Sequence, residues 1–284
     1  MKKTLLLILS IFLVLSLLVS CTQERSDKLQ IYASFYVLED FAKQIGGDKV
    51  EVVNLTGNGD AHNFEISASQ MAKLTKADLF IYIGGVDEWA IDIENSLTSA
   101  DCYPFELDGG VDLAKTEDAH IWLNPDIAIN QMSKLCDALC ALDPQNAQYY
   151  KQNYAVAEEK ELALDAKINE AKKKTASQTM VVTHGAYGHL CKKLGMEQLA
   201  VEGIHGKGDP TPLQMAKVID FIKENDIKYI FTSPNENAKS VQNIIAQTGV
   251  ELLELDPMDV DNNNGGYFSA MEKNITTIVN SINN

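Results

Sequence analysis

Five histidines stand in the 284 residues, at positions 62, 120, 184, 189 and 205. Two of them follow the same Asp-Ala step, His62 in "NGDAHNFE" and His120 in "EDAHIWLNPD". A third, His184, closes the run "TMVVTH", and Asp256 closes "VELLELD" just ahead of Pro257. Three imidazoles and one carboxylate form a four-coordinate nitrogen and oxygen set of the kind zinc takes in closed tetrahedral sites. These four residues are far apart in the chain, so only a fold that brings loop to loop can make them a site.

The elements that must do so are legible. Short β-rich runs, "LQIYASF", "EVVNLT", "DLFIYIG" and "CYPFEL", alternate with amphipathic helical patterns from Leu29 onward. The pattern starts again after mid-chain with "TMVVT", "EQLAVEG", "KYIFT" and "VELLEL". That order predicts an α/β protein of two similar lobes, each a mainly parallel four-stranded sheet flanked by helices. Between them "DPQNAQYYKQNYAVAEEKELALDAKINEAKKK" lacks internal Gly and Pro, with Asp143 as N-cap, Pro144 in the first turn and three closing lysines that suit a helix C-terminus. Tyr150, Tyr154, Ala157, Leu164, Ile168 and Ala171 keep a helical stripe. At 1.5 Å per residue the segment makes a stiff connecting helix of roughly 45 Å. The expected boundaries are a lobe over 29–143, the connector over 144–175 and a second lobe over 176–284.

On this map His62, His120, His184 and Asp256 all lie beyond the carboxyl ends of strands, the edge at which open α/β sheets bind ligands. Asn124 and Pro125 supply an N-cap and first helical residue directly after His120. If the two edges face each other, the four side chains converge in the cleft between the lobes. His189, inside the helix after His184, points to another face. His205, in "GIHGKGDPTP", is ambiguous between a place at the metal or its entrance and no part in the site.

At these residues the chain resembles the metal-binding lipoproteins that feed zinc and manganese ABC importers, a solute-binding family that includes lipoprotein adhesins. "GDAHNFEIS", "EDAHIWLNP", "VVTHGAYGHL" and "LELDPM" stand in the family's order and spacing, over essentially the whole mature chain. The resemblance implies that His62, His120, His184 and Asp256 hold a divalent ion delivered to a membrane permease by a monomeric binding protein. It makes Asp60 and Asp118 supporting residues that orient their histidines through the ring or loop amides. Trp122 is expected in the core. Ala61 and Ala119 replace the family's prolines and leave these loops less rigid, Ser233 stands where many zinc members carry Glu, and "DGGVDLAKTEDAH" lacks their His-rich loop.

"MKK" and the apolar run from Thr4 to Ser20 read as an export signal over residues 1–20. "LVSC" resembles a lipobox, with Cys21 as the lipidated residue, 21–28 as a tether and an extracytoplasmic, membrane-anchored mature protein. Removing Lys2 and Lys3 takes the formal charge from −16 to −18, which repels nucleic acid and anionic lipid. Cys102, Cys136, Cys140 and Cys191 show no metal or disulfide spacing. Imidazole at the third position favours zinc, with manganese as the alternative. A zinc hydrolase would need an open water position and a paired base, for which there is no H-E-x-x-H; a surface adhesin is the remaining alternative.

Overall fold

The computed structural model describes residues 27–98, 100–116, 118–201, 211–234 and 239–283. The signal segment, Cys21 and His205 lie outside them. The first lobe runs β1 (Leu29–Ala33), α1 (Tyr36–Gly46), β2 (Val50–Asn54), α2 (Ala68–Leu74), β3 (Leu79–Tyr82), α3 (Trp89–Ser96), β4 (Tyr103–Glu106) and α4 (Pro125–Leu142). After the long α5 (Ala147–Thr175) come β5 (Thr179–Val182), α6 (Gly188–Leu194), β6 (Glu197–Ala200), α7 (Pro212–Glu224), β7 (Tyr229–Thr232), α8 (Lys239–Thr248), β8 (Glu251–Glu254) and α9 (Tyr267–Asn283). The sheets have the orders β2-β1-β3-β4 and β6-β5-β7-β8, and every ladder is parallel. Strand β3 is buried at all its positions, as a parallel strand covered on both faces must be. In each sheet the order reverses between its first and third strands, so a crevice opens at the carboxyl edge there.

The connector is a helix of 29 residues, about 43 Å long. Its start differs from the expectation. Pro144–Asn146 form a 3-10 turn, and the Asp143 carboxylate accepts from Asn146 Nδ2 and the Tyr150 hydroxyl, both at 2.7 Å, and caps no backbone N–H. The buried stripe is Tyr150, Ala157, Glu161, Leu164, Ile168, Ala171 and Thr175, with Tyr154 half-buried. One apolar core runs through this helix into both lobes, from Ile31, Phe35 and Trp122 through Ile168 to Val182, Tyr187 and Met258. Helix α9 lies against α5 and α1 and adds Tyr267 and Met271 to the same core. A shared core of this kind favours small movements of one lobe on the other, because close-packed interiors do not deform continuously.

Glu161 is the anomaly of the stripe. By period it falls between Ala157 and Leu164, it is 4 % exposed, and neither carboxylate oxygen has a hydrogen-bond partner among the described residues. Burial first, then the charges of Asp126 and Asp165, push its carboxyl up to about 8 against the pull of Lys193. The native state therefore holds a proton that the unfolded chain releases near 4.5, and Glu161 lowers stability as pH rises from about 4.5 to 8. Glu161→Gln is expected to remove that slope, which approaches about 1.4 kcal/mol per pH unit at most. Urea unfolding of both proteins at pH 5.5 and 8 checks it: the variant should gain relative to wild type at the higher pH, and an equal difference at both would contradict the assignment.

Candidate metal centre

His62 lies in the loop between β2 and α2. The Asp60 carboxylate accepts from the His62 backbone N–H at 2.9 Å and from Asn63 Nδ2 at 2.6 Å, so it shapes the loop through an amide. Downstream, Ser67 and Gln70 form a reciprocal capping box at the start of α2, and Trp89 Nε1 donates to the Ala61 carbonyl at 2.8 Å. Ala61 is fully buried, so packing and this bond hold the loop where the resemblance would place a proline.

His120 leaves the loop after β4 and is followed by a buried 3-10 turn, Ile121–Leu123. Asn124 caps α4 by accepting from the Asp126 N–H at 3.0 Å, and Pro125 is its first residue, as the sequence predicts. The Asp118 carboxylate accepts the His120 backbone N–H at 2.9 Å and ring Nδ1–H at 2.8 Å through one oxygen. A carboxylate can only accept here, so Nδ1 carries a proton and Nε2 is the nitrogen left to face a ligand. Trp122 is fully buried, as expected, yet its Nε1 also donates to the Pro257 carbonyl at 2.8 Å, tying this loop to the one after β8.

His184 follows β5. Its Nε2 lies 3.3 Å from His120 Nε2, and the ring centroids of His62, His120 and His184 are separated by 5.4, 5.6 and 5.0 Å. Two nitrogens bound tetrahedrally at about 2.0–2.1 Å from zinc stand about 3.3 Å apart, so the pair has the edge length of such a site. The fourth member is Asp259: one ligand atom from each of His62, His120, His184 and Asp259 lies within 4.8 Å of all the others. Asp259 Oδ1 is buried and has no hydrogen-bond partner among the described residues.

Asp256 is not in this cluster, contrary to the expectation from sequence. One of its oxygens accepts from the Met258 N–H and Asn262 Nδ2, each at 2.8 Å, and the other from Asn264 Nδ2 at 2.6 Å. Its backbone is clasped by the Asn274 amide at 2.9 and 2.7 Å. With both oxygens spent on its own loop, Asp256 braces the segment that carries Asp259. Met258, at φ 63° and fully buried, turns the chain in the left-handed region directly before Asp259. That turn was not readable from residue types, since Met rarely adopts it; the second carboxylate of "LDPMD" was the available signal. His189 also stands apart from the cluster, as expected, with its ring against the Asp118 carbonyl.

The crowding of these groups sets their proton affinities. Burial, then the neighbouring His120 and His62 rings, push His184 down to about 3. Burial pushes Asp259 up to about 6, with His120 pulling the other way. For His120 burial opposes the charged ring, but the Asp118 hydrogen bond and the charges of Asp259 and Asp118 outweigh it and raise the net value. Burial likewise works to raise Asp118, and the hydrogen bonds and charge of His120 overcome it, leaving its carboxyl below the usual range. Three rings, two of them with nitrogens pointed at each other, and an unpartnered carboxylate oxygen make a pocket for one small cation.

The profile of the family described as zinc-uptake complex component A, periplasmic, matches residues 31–281. The chain belongs to this family. Among curated relatives of this zinc-uptake family, the zinc-binding lipoprotein AdcA of Streptococcus pneumoniae is 27% identical over 303 residues, covering 98% of this chain and 60% of that protein. The chain thus spans about 60% of the length of the AdcA relatives it matches. The Zn(II)-bound ZnuA-like domain of Streptococcus pneumoniae AdcA superposes with a TM-score of 0.80 at 27% identity, over 90% of this chain and all of that one. The laminin-binding protein Lmb of Streptococcus agalactiae, described as bifunctional with adhesin and metal-transporting activity, gives 0.82 at 27% identity over 89% and 99%. Members of the family are solute-binding transport components.

Proposed function

We propose that the chain captures a single Zn(II) ion between its lobes through His62, His120, His184 and Asp259 and hands it to the permease of an ABC-type importer. The observation that carries this reading is the convergence of those four side chains from both lobes on one point. Family membership and the zinc named for its AdcA relatives support the choice of ion. Three imidazoles suit zinc better than manganese, for which oxygen ligands are preferred. Four protein ligands complete a tetrahedral shell and leave no position for an activated water, so the site binds and releases without chemistry. Export and attachment through a lipid on Cys21 complete the reading, and the described residues contain no helix long and apolar enough to cross a membrane.

The test is a zinc titration of the purified chain, with metal analysis of protein prepared without added metal. One zinc per chain is expected, and a chain that takes none, or takes manganese in preference, would overturn the proposal. Two variants check which aspartate ligates. Asp259→Asn is expected to weaken zinc binding by more than about tenfold while leaving the metal-free protein at least as stable, because it neutralises a buried carboxylate. Asp256→Asn is expected to lower the melting temperature of the metal-free protein, because it breaks the clasp on the loop. The reverse pattern in calorimetry and thermal melts would restore Asp256 as the ligand.

A further inference from the structure

Asp118 does more than orient His120. It is 7 % exposed, and its acceptors face both lobes. One carboxylate oxygen takes the His120 ring, while the other accepts the backbone N–H of Gly188, the first residue of α6 in the second lobe, at 2.8 Å. The Asp118 main-chain carbonyl accepts from His189 Nε2 at 2.8 Å and from the Thr116 hydroxyl at 3.0 Å. A carbonyl has no proton to give, so the His189 ring is the donor. A side chain at Gly188 would put its Cβ 2.8 Å from the carboxylate oxygen, so this approach needs glycine. Gly188 and His189 stand four and five residues beyond His184 on the same connection. The ligand loop of one lobe is therefore bonded to the ligand loop of the other at the residue that fixes the His120 tautomer.

We propose that the Gly188–Asp118–His189 contact is a latch that holds the lobes closed over the metal centre and sets the rate at which the ion leaves. The inference rests on the metal-capture reading above. Separating the lobes must break both bonds to α6, and the buried acceptors of Asp118 lose their partners before water can replace them. The same movement frees the carboxylate from its fixed orientation, so the His120 nitrogen loses its aim as the cleft opens. Opening and weakening of the site are thereby one event. A permease that pries α6 from the first lobe would release the ion without touching a ligand.

The latch is tested by stopped-flow zinc release into excess chelator, for wild type, His189→Ala, His189→Gln and Gly188→Ala. Each variant leaves the four clustered side chains in place. His189→Ala and Gly188→Ala are expected to release zinc about tenfold faster, the worth of one buried hydrogen bond, with association rates within about twofold of wild type. His189→Gln, whose amide nitrogen can reach the same carbonyl, is expected to restore slow release. Release from His189→Ala at the wild-type rate would overturn the latch. So would fast release that Gln does not rescue and that merely follows a lower melting temperature. Zinc binding by wild type that is lost in His120→Ala shows that such a failure belongs to the latch alone; wild type that binds no zinc would remove both readings.

Discussion

His120→Ala is expected to lower zinc affinity by at least about a hundredfold, more than the tenfold to hundredfold typical of losing an outer partner of a ligand. His120 is fully buried, its Nδ1 proton is committed to Asp118, and its Nε2 faces that of His184 at 3.3 Å. Alanine removes one of the four clustered ligand side chains. It also deprives the Asp118 carboxylate of a donor, but the backbone bonds from His120 and Gly188 remain, so the metal-free protein should lose only about 1–3 kcal/mol. Competition against a chromogenic chelator, with circular dichroism as the check on folding, reads both quantities. A folded variant with wild-type affinity would contradict the site.

The second large effect is the response to acid. His120 and Asp259 both have raised proton affinities in the metal-free protein, the latter at about 6, and each must give up its proton to bind an ion. As pH falls through about 6, zinc competes with two protons, and affinity should drop by up to about a hundredfold per pH unit, tenfold for each proton displaced. His184, pushed down to about 3, adds little competition above that pH. For the fold itself the two groups oppose each other: a proton held by Asp259 between about 3.8 and 6 adds stability to the metal-free native state as pH falls, while His184, neutral down to about 3, costs it stability below about 6.5, where the unfolded chain takes up a proton that the native ring does not. Calorimetric titration from pH 7.5 to 5, in buffers of different ionisation enthalpy, would count the protons released; an affinity that stays flat over that range would exclude these ligands.

How much of this was legible in the sequence depended on how local each signal was. The two sheets, the long connector and the cap at Asn124 are written in period and in single polar residues, and the structure has them. The three histidines were found because strand ends are readable and ligands collect at one edge of a parallel sheet. The same reasoning points to Asp256, since it ends the strand, and passes over Asp259. Asp259 reaches the rings only through a left-handed turn at Met258 and a brace from three asparagines, Asn262, Asn264 and Asn274, which no residue pattern announces. Glu161 was invisible for the converse reason: its type says solvent, while its place in the helical period says core. The Trp122 bond to Pro257 and the Asp118 bonds to α6 are interlobe facts, and interlobe register is not encoded in either lobe alone.

Crystals of the zinc-loaded chain, measured at the zinc absorption edge, test the central claim most directly. One strong anomalous peak is expected about 2.0–2.2 Å from Nε2 of His120 and His184, a ring nitrogen of His62 and a carboxylate oxygen of Asp259. A peak against Asp256, or none among the three imidazoles, would contradict it.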